Sequence, residues 1–132
     1  MFLLDTCVVI GLLKQAPAAL ELVDRFELDF AKCAVSQITR MELLSYPNLQ
    51  ESEAREIIEF LAYCQVVLLD EEIENIAIAW RRGSAIKLPD AIIAATAYAR
   101  GLQLITLDVR LQQSFQAGFK KYNVASVIGP GK

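Results

Sequence analysis

Asp5 and Asp108, just past the ends of predicted strands, and Glu42 and Asp90, on helices that could lean over the same edge of the sheet, are candidate carboxylates for chemistry in a sequence that contains no histidine. Without histidine the Ser-His and Cys-His nucleophile arrangements lack their base, and zinc lacks its usual nitrogen ligand. Hard carboxylate oxygens suit magnesium or manganese instead. Such an ion lowers the pKa of a bound water, and a second ion can stabilise the leaving oxygen of an in-line attack on a phosphodiester. The chemistry to expect is hydrolysis by activated water. Each acid also has an ordinary structural use: Asp5 and Asp108 fit as N-caps, Asp90 suits the positive end of a helix dipole, and Glu42 alone reads as a solvated helix acid. Thr6 and Thr106 stand beside or near these acids and could orient carboxylates or bound waters, or equally bond to the local backbone.

The elements that must position these groups follow from hydrophobic pattern and stop signals. The apolar run Phe2-Leu3-Leu4 predicts a strand ending at Asp5, followed by a helix over 7–13 and another that Pro17 opens and that runs to 26. Cys33-Ala34-Val35 predicts a second strand. Ser36 caps a helix carrying Glu42 that Pro47 stops, and Asn48 with Glu51 has capping-box spacing for a helix striped by Ile57, Ile58, Leu61 and Ala62. A strand is expected over 66–69, then a helix over 71–80 closed by Arg81, Arg82 and a Gly83 cap. Pro89 and Asp90 open an alanine-rich helix that ends at Arg100-Gly101; a strand over 103–106, a helix over 109–115 and a strand over 123–128 follow. This βα alternation implies an α/β fold, a three-layer α/β/α sandwich with a central, mainly parallel sheet whose ligands bind beyond the carboxyl ends of the strands. Asp5 and Asp108 both fall just past predicted strand ends.

Bulk properties restrict the setting. The 132 residues, 55% of them hydrophobic, make one domain (1–132) with a real core. No apolar run reaches the roughly 18 residues of a membrane span, and the N-terminus lacks the positive region of a signal peptide, so a cytoplasmic protein without membrane partners is expected. Cys7, Cys33 and Cys64 are odd in number, far apart and set among apolar residues, as reduced core thiols are. The net charge of −3 and pI of about 5.0 speak against a broadly basic nucleic-acid surface. Divalent ions held by the clustered acids would reverse that field locally.

Four segments together resemble the PIN domain, in particular the toxin nucleases of the VapC class: Phe2-Leu3-Leu4-Asp5-Thr6, Ser36-Gln37-Ile38-Thr39-Arg40-Met41-Glu42-Leu43-Leu44, Leu88-Pro89-Asp90-Ala91-Ile92-Ile93-Ala94-Ala95-Thr96-Ala97, and Leu104-Ile105-Thr106-Leu107-Asp108. They occur in the family's order and span the chain. Leu107 departs from the asparagine that such toxins often carry there. The resemblance implies a metal-dependent endoribonuclease leaving 5′-phosphate and 3′-hydroxyl ends. It places Asp5, Glu42 and Asp90 around Mg²⁺ or Mn²⁺, and Asp108 on a second ion or acting through water. It also implies an RNA substrate, a homodimer, and a small antitoxin protein laid across a hydrophobic groove near the site; Ile10, Leu13, Leu20 and Val23 on the first helices are either part of such a shared surface or internal core.

Arg40, Arg81, Arg82, Lys87 and Arg110 are the candidates for holding an RNA backbone, although each also suits a helix end or ordinary surface. Two other readings are open to the sequence. One is a catalytically silent PIN-like module that binds RNA or protein, disfavoured because a scaffold has no use for four mutually repelling acids. The other is a phosphate-receiving α/β domain built on Asp70, disfavoured because Asp5 lacks a second acid beside it and no lysine follows Thr106 at the place such domains require.

Overall fold

The apolar runs form four strands, β1 (Phe2–Leu4), β2 (Cys33–Ser36), β3 (Gln65–Val67) and β4 (Gln103–Ile105), in a computed structural model that describes residues 1–118. They pair in parallel in the order β3-β2-β1-β4. The helices between them are α1 (Thr6–Leu13), α2 (Pro17–Phe26), α3 (Gln37–Leu44), α4 (Glu51–Tyr63), α5 (Glu71–Gly83) and α6 (Leu88–Arg100), with α7 (Val109–Gly118) after β4. The expected strand over 123–128 lies outside the described residues.

Alternation along each strand divides the core between two faces. Leu3, Ala34 and Leu104, which lie side by side in register, join Ile73 and Trp80 of α5 and the alanines of α6. Leu4, Val35 and Ile105 point the other way, to Val8, Leu22, Leu43 and Leu61. A parallel sheet buried on both faces needs such apolar runs, since both its sides meet a helix layer; Gln65 and Gln103, which begin β3 and β4, are exposed. The three-layer arrangement expected from the sequence is the one observed.

Helix ends follow local chemistry. Pro17 and Pro89 stand in the first turns of α2 and α6, and Gly101 takes the left-handed conformation that ends α6, at φ 65°. Gly11 has a different role, because a Cβ there would lie 2.7 Å from Cβ of Ala19. Its absence lets α1 and α2 meet closely where the chain turns through 109°. Among the described residues no single helix is long and apolar enough to cross a membrane.

Four local expectations are corrected. The cap of α4 is Gln50, not Asn48: Asn48 follows Pro47 with φ 63°, incompatible with an extended cap, and the backbone N–H of Gln50 donates to Glu53 Oε1 at 3.0 Å. On α4 the buried stripe is Ile57 and Leu61, while Ile58 and Ala62 face outward. Strand β3 stops at Val67 because its partner β2 ends opposite it at Ser36 and turns into α3, and the Leu69 N–H donates to the Gln37 side chain at 2.9 Å. Gly83 stays helical; Ser84 follows it in extended conformation, and its hydroxyl donates to the Trp80 carbonyl at 3.2 Å.

Candidate active site

Parallel pairing brings the carboxyl ends of all four strands to one edge, and the candidate acids gather there. Asp5 directly follows β1 and is only 5% exposed. It N-caps α1: Oδ1 accepts from the Thr6 N–H at 2.8 Å, while Oδ2 accepts from the Thr106 hydroxyl at 2.6 Å and the Cys7 thiol at 3.2 Å. Thr106 Oγ in turn accepts from the Asp108 N–H at 3.0 Å, so one hydroxyl ties the end of β1 to the turn after β4. Asp108 is exposed, and its Oδ1 accepts from the N–H groups of Arg110 at 2.9 Å and Leu111 at 3.2 Å, capping α7.

Glu42 reaches the same edge from α3. Its Oε1 accepts from the Thr6 hydroxyl at 2.8 Å, and Thr6 Oγ also lies 2.9 Å from Oγ of Thr39, which is completely buried. Asp90 stands half-buried in the first turn of α6. Burial pushes its carboxyl above the usual range, and the charges of Asp5, Asp108 and Glu42 push it further; Lys87 opposes them. The charges of the other three acids therefore register at Asp90.

Of the basic candidates, Lys87 is the one whose charge registers at Asp90. Arg110 begins α7 beside Asp108, Arg40 is exposed two residues before Glu42, and Arg81 and Arg82 are exposed in the last turn of α5. Asp70 is occupied structurally: it caps α5 by accepting from the Ile73 N–H at 2.9 Å and pairs with Arg100.

Sequence reasoning passed over two groups at the site. Cys7 was read as core, yet its thiol rests on Asp5; burial first, and the Asp5 charge second, raise it to about 11, so it is a protonated donor at neutral pH. Thr39 precedes Glu42 by three residues, a spacing that shares a helix face and was the available signal.

The PIN domain family model matches residues 2–114. The chain belongs to the PIN-domain family. Solved structures similar to this PIN domain include a toxin-antitoxin complex from Klebsiella pneumoniae, 27% identical, covering 89% of this chain and 92% of that one with a TM-score of 0.73. DNA-bound VapBC from Salmonella typhimurium is 26% identical, with coverages of 85% and 89% and a TM-score of 0.70. VapBC-1 from nontypeable Haemophilus influenzae is 25% identical, with coverages of 87% and 92% and a TM-score of 0.69. No curated protein sequence matches the chain significantly.

The donor set of this PIN domain fits a hard divalent cation in kind: carboxylates at one edge of the sheet, three of which raise the fourth, Asp90, while Lys87 opposes them. In geometry it is open, since no three acids or cysteines among the described residues close on a single point. Mutual repulsion gives a testable result. An acid whose pKa is raised on folding destabilises the fold once ionised, so the penalty is absent below the ordinary carboxylate range and grows as pH rises through the folded value. Metal-free Asp90→Asn should therefore melt above the wild type at pH 7, with the difference vanishing in acid, and magnesium should raise the wild type more than the variant. Melting curves of the two proteins that respond identically to magnesium and pH would count against a shared ion site.

Proposed function

We propose that this PIN domain is a Mg²⁺- or Mn²⁺-dependent endoribonuclease, the toxin of a VapBC-type toxin-antitoxin pair acting in the cytoplasm. The observation that carries this reading is the meeting of Asp5, Glu42, Asp90 and Asp108 at the carboxyl edge of the sheet, with the carboxyl of Asp90 sensing the other three. The similar structures support the toxin part, because one is a toxin-antitoxin complex and others are VapBC assemblies.

In this reading Asp5, Glu42 and Asp90 hold the ion and Asp108 completes the set. A bound divalent ion would supply an acidified water and charge neutralisation at the phosphodiester. The chain's own residues do the positioning: Thr106 and Cys7 hold Asp5 Oδ2, and Thr6 holds Glu42 Oε1, so the carboxylates are oriented before substrate arrives. Lys87, whose charge registers at Asp90, with Arg40, Arg81, Arg82 and Arg110 are the proposed contacts to the RNA backbone.

For the antitoxin, the surface proposed is a groove of about 370 Å³ lined by Ile10, Leu13, Leu43, Leu49 and Ile57 with Glu53 and Glu56. It suits an apolar segment carrying basic residues. Leu20 is exposed and Val23 half-buried on α2, where a second copy of the chain is proposed to pack.

Purified protein incubated with structured RNA should cut it only when magnesium or manganese is present, leaving 5′-phosphate ends that a phosphate-dependent exonuclease accepts. RNA bound but left intact in both metals would replace this reading with a silent binding module.

A further inference from the structure

We infer that Thr39 is a positioning residue for Glu42, acting through Thr6 in a buried hydroxyl relay; the inference rests on the ion-binding reading of the acids. Thr6 Oγ lies 2.8 Å from Glu42 Oε1 and 2.9 Å from Thr39 Oγ. A hydroxyl has one proton, and a carboxylate only accepts. Thr6 therefore donates to Glu42, and Thr39 must supply the proton that Thr6 Oγ accepts. The relay runs Thr39 to Thr6 to Glu42.

Its burial makes the direction consequential. Thr39 is 0% exposed and Thr6 8% exposed, so solvent has little access to replace a missing donor. Within a helix a threonine hydroxyl ordinarily bonds back to a carbonyl of the previous turn. Thr96 does so on α6, donating to the Ile92 carbonyl at 2.7 Å. Thr39 instead reaches across 33 residues of sequence to α1. The relay thus joins the first turn of α1, directly after Asp5, to the turn of α3 that precedes Glu42, and fixes the two carboxylates relative to each other. A chain of hydroxyls that ends on a carboxylate polarises along its length, so removing the far donor weakens the near bond.

The test reads Mn²⁺ binding, by the paramagnetic resonance signal of the free ion, on the full chain without RNA. Thr39→Val keeps the shape and removes the hydroxyl; it should weaken Mn²⁺ binding about tenfold or more, as loss of a group supporting a metal ligand does. Thr39→Ser restores the donor and should stay within about twofold of wild type. In a Thr6→Val background the relay is already cut, so adding Thr39→Val should change binding less than about twofold. If Thr39→Val does not fold, Thr39→Ala takes its place. Wild-type affinity in Thr39→Val, or an undiminished loss in the Thr6→Val background, overturns the relay while leaving the ion site intact. A wild type that binds no Mn²⁺ overturns the ion-site reading and the relay with it.

Discussion

Asp5→Asn should lower kcat/KM for RNA cleavage by on the order of a thousandfold or more, equivalent to about 4 kcal/mol of lost transition-state stabilisation. The magnitude follows from what surrounds this side chain. Both oxygens already accept hydrogen bonds, from Thr6 on one side and from Thr106 and Cys7 on the other, and the residue is almost wholly buried. An amide sets an N–H₂ group where one oxygen stood, so a donor faces a donor, and the neutral side chain loses the charge that attracts a cation. Asp108→Asn should have a smaller effect, because Asp108 is exposed and its Oδ1 is engaged in capping α7. Single-turnover cleavage of end-labelled RNA measures both. Retention of cleavage by Asp5→Asn within tenfold of wild type would remove Asp5 from the chemistry.

Trp80→Ala should destabilise the protein by about 3–5 kcal/mol, the range for emptying a large aromatic site in a core. Trp80 is 1% exposed and lies in the cluster that α5 shares with Ala91, Ala94, Ala95 and Ala97 of α6. Those alanines let the two helices approach closely and leave Trp80 to fill the space beside them. Small neighbours cannot swing in to close the hole, so relaxation recovers little. A melting temperature lowered by roughly 10–20 °C in a thermal scan is the expected result. A drop of only a few degrees would mean that α5 and α6 collapse together. Because α6 carries Asp90, cleavage should fall as well, at temperatures below the transition.

How far sequence anticipates this molecule depends on whether a feature is local. Strand ends at Asp5 and near Thr106, proline-opened helices and the glycine after Arg100 rest on neighbours along the chain, and they stand where pattern put them. The βα alternation likewise predicted the parallel, three-layer arrangement. Misplaced features depended on distant partners. Leu68 and Leu69 read as strand, but only the pairing register reveals that the neighbouring β2 has by then turned into α3. Asn48 looked like a cap until Pro47 and a left-handed turn moved that duty to Gln50. At the site, strand ends and the order of four segments nominated the acids, whereas hydroxyl pairing between Thr6 and Thr39 and the rest of Cys7 upon Asp5 arise from elements joined only in three dimensions.

Asp5 caps a helix and receives the Thr106 hydroxyl with the same two oxygens proposed to hold an ion, while Asp90 carries a half-buried charge repelled by its neighbours. The two residues therefore offer unequal routes to an inactive descendant. A lineage under selection to silence the proposed nuclease would lose a helix cap by changing Asp5, but would gain stability by changing Asp90 to asparagine. Natural inactive copies of this chain should accordingly carry their first lesion at the start of α6, and should still fold well enough to occupy whatever normally restrains the active form.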